Sequence, residues 1–459
     1  MRALAPLAPH IPTQPRAKPG PGVPGKETPR LAPPFILGLF CCALGLLPGG
    51  RDAGARFAER CAKARKGAGS VRILHFGDSH LAGGTGADYR RLFQSQWGDG
   101  GPGLGQPWLR PGPGIRAGAS RGWKKRLQGQ GGGPAGLAAG ALATDRAGEW
   151  ATLEAPFTRF RLHLLKAPDG GKAAVSVDGK ALGVIELAGP AGQLALFERE
   201  LPPRAGSRKL EIRTLGGPVT ILGVALEGSA GAVYSPLAFN GARAAWLKEA
   251  PEELLRAELA AEAPDLIILA FGTNEALDRD FDGEGYRKGL EAILDRLRSA
   301  APQAALALVG PPDLDPRRGA ARALAGVIAA QRAAAAAKGC LFMDPFAYMG
   351  GAGSITAWSR AGLANRDQVH LLPPGYRRLS RFVAQAILTG TGQPGLAPDR
   401  QPGPQLAQAR AGGPEAAAPK PPDTLPIYVY RNKEGRMLVT NDPNAVADSQ
   451  GEWIMENTH

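Results

Sequence analysis

The chain has 459 residues, 44% of them hydrophobic and 21% charged, which is enough apolar material for several packed domains and excludes a wholly disordered protein. Its 64 glycines and 42 prolines follow no Gly-X-Y period, so a collagen-like fold is excluded as well. The formal charge of +14 falls mostly between residues 51 and 390, a surface suited to anionic partners. No basic run is interleaved with aromatic residues, so nucleic acid is not an expected partner. The four cysteines, Cys41, Cys42, Cys61 and Cys340, form no CxxC pair, which argues against a structural zinc site and a dense disulfide framework.

Residues 1–50 read as an export segment. Phe35 to Leu47 form an apolar core of signal-peptide length inside the uncharged stretch 31–50. Arg2, Arg16, Lys18, Lys26 and Arg30 precede it against the single acid Glu27, a bias that keeps the N-terminus cytoplasmic and exports the rest of the chain. The segment is therefore expected either to be cleaved or to anchor the protein in a membrane, and the location to be the periplasm or cell envelope. An oxidising compartment would permit a bridge between Cys61 and Cys340 without requiring one.

Alternating strand and helix patterns come next. Val71–Phe76, Asp265–Phe271, Ala304–Val309 and Cys340–Met343 are apolar strand candidates, and Tyr286–Leu297 and Ala320–Ala337 are helix candidates. Near-continuous apolar strands are covered on both faces, so the expected class is α/β, a doubly wound parallel sheet. Between 145 and 230 the period changes to two. Phe160–Leu164 alternates, Asp178-Gly179 is a hairpin turn, and Leu210–Thr214 and Val219–Ile221 are short strands, the pattern of an inserted β-sandwich or jelly roll. The α/β domain is thus split into 51–144 and 231–390. Because the blocks that flank the insert sit at one edge of the sheet, its ends are expected near the mouth of the site. Segment 391–425 reads as a Pro/Ala/Gly-rich linker, and 426–459 as a small β-hairpin module with no assigned chemistry.

Ligands of a doubly wound sheet sit at the carboxyl ends of its strands, and the reactive residue types cluster there. Ser79 comes after a strand through Gly77, with a helix beginning behind it whose unpaired N–H groups suit an oxyanion. Of the six histidines, His10 lies in the export segment, His459 ends the chain, and His163 falls on the polar face of an insert strand. His75 lies within the first strand and His80 is a chain neighbour of Ser79. His370 stands three residues after Asp367, a spacing that puts carboxylate and imidazole on one side of a turn.

Together these residues resemble a known family. Phe76-Gly77-Asp78-Ser79-His80 resembles the first block of the GDSL/SGNH esterases, Asn240-Gly241 the second, Gly272-Thr273-Asn274-Glu275 the third, and Asp367-Gln368-Val369-His370 the fifth, in family order. Glu275 stands where many members carry Asp, and His370 is succeeded by Leu371-Leu372 before the prolines. The nucleophile and third blocks, the β-domain after the first block and the stretch Leu92–Gly103 resemble the peptidoglycan O-acetylesterase branch, which implies that the insert at 145–230 is a carbohydrate-binding domain that presents polymeric substrate. The resemblance implies Ser79, Asp367 and His370 as the catalytic set, and the Ser79 and Gly241 backbone N–H groups with the Asn274 amide as oxyanion hole. It implies no metal and no organic cofactor, with an O-acetylated polysaccharide as substrate. An O-acetyltransferase using the same three residues, or a glycan-binding protein without activity, are the competing readings.

Overall fold

The computed structural model describes residues 48–108, 115–128, 133–315, 321–397 and three strands near the C-terminus. The apolar segment 31–47 and most of the linker lie outside the described residues. Among those that are described, no helix is long and apolar enough to cross a membrane.

Five parallel strands form the central sheet, in the order Gly231–Ala238, Ser70–Gly77, Leu266–Ala270, Ala305–Val309, Leu341–Met343. Successive side chains point to opposite faces, which explains the uninterrupted apolar runs. Ile73, Ile268 and Ala307 face the helices Pro48–Arg65, Gly86–Trp97 and Pro373–Gly390. Leu74, Ile267 and Leu308 face Glu252–Glu262, Gly283–Ala300 and Ala321–Lys338. Phe93 and Trp97 show how the first layer packs: they are fully buried and stacked with centroids 5.6 Å apart. Each such side chain contributes on the order of 2–3 kcal/mol through burial. Cys61 and Cys340 are both buried and unbridged, and they belong to cores on opposite faces of the sheet, which excludes the bridge the sequence permitted.

The insert is a sandwich of two antiparallel sheets. One runs Leu194–Glu200, Arg159–Leu165, Val219–Glu227, Gly140–Thr144, Lys124–Leu127, with Gly103–Gly105 also paired to Val219–Glu227. The other runs Arg116–Ala119, Trp150–Ala155, Arg208–Gly216, Lys172–Val177, Lys180–Glu186. Asp178 and Gly179 both take positive φ, +53° and +79°, as the two-residue hairpin turn requires. Strands therefore occur well before residue 145. Those early strands are three to five residues long and rich in Gly, Ala and Lys, so their period of two is not visible in the sequence.

Two expectations about the insert need correction. Its ends do not meet at the mouth of the site. The helix Gly86–Trp97 carries the chain back across the sheet, and Gly98, Gly100 and Gly231 meet at the start of strand Gly231–Ala238, beside Ser70. Ser79 lies beyond the opposite end of the neighbouring strand. His163, in turn, is not on a solvated face. It is fully buried, because its side of the sheet rests on helix Glu252–Glu262, where Glu258 and Glu262 receive its two ring nitrogens at 3.0 and 2.8 Å. Arg161 contacts Glu262 at 2.7 Å, and Arg72 of the central sheet pairs with Glu227 of the insert at 2.7 Å. The outward alternation read from the sequence is real, but what lies outside that strand is another part of the same protein.

Near the C-terminus, Ile427–Arg431 pairs antiparallel with both Met437–Thr440 and Glu452–Asn457, a three-stranded sheet where the sequence suggested two strands.

Candidate active site

The central strands end where the sequence motifs begin. After Ser70–Gly77 the chain turns sharply at Gly77, where a Cβ would lie 2.9 Å from the Leu81 Cβ and 3.1 Å from the Ala270 carbonyl. A helical path starts at Ser79, widens to a π-helical turn over Leu81–Thr85 and tightens into Gly86–Trp97. Asp78 caps this start: its Oδ1 accepts the His80 N–H at 2.9 Å.

Ser79 Oγ lies 2.9 Å from His370 Nε2, and His370 Nδ1 lies 2.8 Å from Asp367 Oδ2. The histidine and aspartate come from a turn that Asp367 itself builds, its Oδ1 accepting the Val369 and His370 N–H groups at 2.9 Å each. Gln368 takes φ +52° within it. Helix Pro373–Gly390 starts after this turn, so Leu371 and Leu372 are spent in the extended link that pairs back to Leu363 and Ala364. The side chains of His370 and Asp367 are 28% and 23% exposed, open enough to receive a substrate yet shielded enough to hold one geometry. Burial would raise the Asp367 pKa, but the hydrogen bond and charge of His370 outweigh it and hold the carboxyl below its usual range. An ionised carboxylate there fixes the imidazole with Nδ1 protonated and leaves Nε2 free to accept a proton from Ser79. The sequence motifs, 291 residues apart in the chain, thus meet in one hydrogen-bonded series.

The second and third blocks meet beside it. Gly241 comes after strand Gly231–Ala238 in an exposed turn with φ +77°. Asn274 Nδ2 donates to the Ala242 carbonyl at 2.9 Å, which ties the two blocks together and leaves the second amide N–H available to a ligand. Glu275 is buried and accepts the Ala244 N–H at 2.9 Å, and burial raises its pKa. Glu275 therefore holds the turn of the second block from the third. Gly272 has φ +129°, and a Cβ there would sit 2.8 Å from Pro311 and 3.0 Å from Gln331 Nε2. Only glycine fits.

Other residues support the site in ways the sequence did not indicate. His80 is buried beside His370, ring centroids 5.3 Å apart, with Nδ1 3.2 Å from the Tyr376 hydroxyl. Burial, helped by the charge of His370, pushes it down to about 3, so it stays neutral. Burial pushes His75 down to about 3 as well, and its Nδ1 meets Tyr234 at 2.8 Å. Gln331 donates to the Phe271 carbonyl at 2.8 Å and to Tyr286 at 3.0 Å, bracing the third block from behind. A glutamine alone within an alanine-rich helix was the one hint of it.

Comparisons with known proteins bear on the fold and the reaction class. Residues 212–378 match the GDSL-like lipase/acylhydrolase family. That match takes in the second, third and fifth blocks, while Ser79 lies ahead of it on the far side of the insert. Residues 212–378 thus form a GDSL-like hydrolase domain, and the chain is a carboxylic ester hydrolase. Among solved structures, a peptidoglycan O-acetylesterase is 25% identical, with a TM-score of 0.63 over 74% of this chain and 97% of its own. A family two carbohydrate esterase from Cellvibrio japonicus is 12% identical over 61% of this chain and 98% of its own, TM-score 0.27. A lipase/acylhydrolase from Enterococcus faecalis is 23% identical over 38% and 80%, TM-score 0.28. No curated protein matches the chain.

Proposed function

We propose that this esterase removes O-acetyl groups from a cell-envelope glycan, with peptidoglycan the favoured polymer. The observation that carries the reading is the series Ser79–His370–Asp367, at 2.9 and 2.8 Å, at the carboxyl edge of the sheet. Ser79 Oγ attacks the acetyl carbonyl while His370 Nε2 accepts its proton. The Ser79 and Gly241 backbone N–H groups and the free Asn274 amide N–H stabilise the oxyanion. His370 then protonates the departing sugar hydroxyl, and water, activated by the same imidazole, releases acetate from the acyl-enzyme. The sugar class is supported by the likeness to a peptidoglycan O-acetylesterase that spans insert and hydrolase domain alike. A wall polymer lies outside the cytoplasm, which fits the basic and apolar N-terminus read as an export segment, whether cleaved or kept as a membrane anchor.

The test is acetate release from a panel of O-acetylated peptidoglycan, O-acetylated xylan and a small aryl acetate. Highest kcat/KM on peptidoglycan is expected. Hydrolysis of the aryl ester alone, with neither polymer deacetylated, would remove the glycan assignment.

A further inference from the structure

The oxyanion hole proposed for this esterase takes its donors from two turns that the sheet does not join. Strand Ser70–Gly77 lies between Gly231–Ala238 and Leu266–Ala270. The turn with Gly241 and the turn with Asn274 therefore rise from strands two interstrand spacings apart, about 10 Å. Among the described residues, no backbone hydrogen bond connects 239–245 with 272–278. Side chains make the connection. Asn274 Nδ2 donates to the Ala242 carbonyl at 2.9 Å, and the Ala244 N–H donates to Glu275 Oε1 at 2.9 Å. Between them in the chain, Arg243 meets Asp278 through both arms of its guanidinium, Nη2 donating to Oδ1 at 2.7 Å and Nη1 to Oδ2. Three successive residues of one turn are thus tied to three residues of the other. Glu275 is buried, whereas the Arg243 and Asp278 side chains are 42% and 45% exposed. Gly241 faces open space: a Cβ there would meet no atom within 4 Å, so packing around the glycine does not locate its N–H.

We propose that the Arg243–Asp278 pair is a positioning clasp. It sets the distance between the Gly241 N–H and the Asn274 amide, and so the fit of the hole to the transition state, without touching substrate. The inference rests on the proposed assignment of those two donors to the oxyanion, and it is independent of which sugar carries the ester. Two planar groups joined by two parallel hydrogen bonds resist both sliding and twisting, which the single bond from Asn274 does not. Both terminal nitrogens of Arg243 are engaged by Asp278, so the side chain is not held free for an anionic group of the substrate. An exposed ion pair adds little to folding. Donors aimed at a developing oxyanion, by contrast, lose much of their effect when displaced by about 1 Å. The pair should therefore matter more to turnover than to stability, and that contrast separates a positioning role from a structural one.

Turnover of a small aryl acetate by the full chain tests this, with melting temperature measured beside it. Arg243→Ala and Asp278→Ala should each lower kcat about tenfold and leave KM within about twofold. The melting temperature should move by no more than about 2 °C. The double variant should be no slower than either single one, since the pair acts as a unit. Arg243→Lys keeps the charge without the fork and should recover only part of the loss. Exchanging the two residues, Arg243→Asp with Asp278→Arg, should be faster than either half of the exchange alone. Unchanged kcat in both folded variants overturns the clasp. So does a loss in Arg243→Ala that Asp278→Ala does not share, which would place the guanidinium on the substrate itself. A loss of kcat matched by a large drop in melting temperature makes the pair a structural brace and overturns the clasp as well. Asn274→Ala, assayed alongside, separates the clasp from the hole. If it is slow while the pair variants are not, the hole stands and the clasp falls; if it turns over like the parent, the hole is removed and the clasp with it.

Discussion

His163 Nε2 lies 2.8 Å from Glu262 Oε1, and that contact joins the insert to a helix of the hydrolase domain in a site with no exposure to water. Burial alone would push the imidazole down. The hydrogen bonds and charges of Glu258 and Glu262 outweigh it and raise it to about 9, while Glu262, which burial would raise, is drawn down to about 2 by His163 and Arg161. The sign comes from proton counts. Below about pH 6.5 both folded and unfolded chains hold the histidine proton, and the pairing contributes fully. Between about 6.5 and 9 only the folded state holds it, so stability is lost as pH rises. Glu262 acts in the other direction, its contribution fading as pH falls from about 4.5 towards 2. Melting temperature should therefore decline from pH 6.5 to 9, and His163→Phe should flatten that decline, leaving the part near pH 7 that Asp78 carries. The same variant should cost about 3–5 kcal/mol near neutrality, because it leaves buried Glu258 without its cation and Glu262 with Arg161 alone. A melting profile with the same slope in both proteins would contradict this.

This cluster also marks the limit of what the sequence carries. Apolar continuity identifies four strands of the central sheet, whereas Ser79, Asp367 and His370 stand out only through the resemblance of their blocks, taken together and in order, to the GDSL/SGNH esterases, since a serine after a strand or an Asp-x-x-His turn is common by itself. The edge strand Gly231–Ala238 stays hidden, since Tyr234, Ser235 and Pro236 interrupt its apolar run and its pairing with Ser70–Gly77 is long-range. Alternation puts His163 on the right face of the right strand, but a polar face looks the same from the sequence whether water or Glu258 and Glu262 lie against it. The ends of the insert are misplaced for a related reason. The motifs locate where two strands finish, and the intervening helix Gly86–Trp97 returns the chain to where they start.

The three residues of the hydrogen-bonded series should differ in consequence. Ser79→Ala removes the attacking oxygen and is expected to lower kcat by about 10⁶, with His370→Ala similarly severe. Asp367→Asn should cost less than His370→Ala if the introduced amide oxygen keeps the two backbone N–H groups of the turn, which Asp367 Oδ1 accepts at 2.9 Å. The losses should also fail to add, so Ser79→Ala/His370→Ala should be no slower than either single variant. Acetate release and the burst of acyl-enzyme formation on an aryl acetate measure all four.

Asn274 is expected to act in two ways that can be separated. One amide N–H holds the Ala242 carbonyl at 2.9 Å, and the other is the one the proposed mechanism assigns to the oxyanion. Asn274→Ala should reduce kcat about 10²–10³-fold with a smaller change in KM, the signature of a donor used in the transition state. Asn274→Asp has no N–H groups and places an acceptor against the Ala242 carbonyl, so it should be at least as slow and less stable. Equal kcat in Asn274→Ala and the parent would exclude the side chain from the oxyanion hole.

Asp78, next to the nucleophile, should lower stability in the ionised state. Burial pushes its carboxyl up to about 7; the backbone N–H of His80 opposes this, and nearby Glu275 adds to it. In the unfolded chain an aspartate titrates near 3.9. A folded value above the unfolded one means that the group favours folding below about pH 4 and loses that contribution as pH rises through 7. Asp78→Asn keeps an oxygen in place to accept the His80 N–H, a 2.9 Å contact in the parent, and carries no charge at any pH. The variant should melt close to the parent at pH 4 and at a higher temperature at pH 8, with the gap opening between those values. The histidine cluster titrates in both proteins, so its slope cancels in the difference between their melting curves. A gap that is constant across pH, or one that favours the parent at pH 8, would show that Asp78 is not the group carrying this cost.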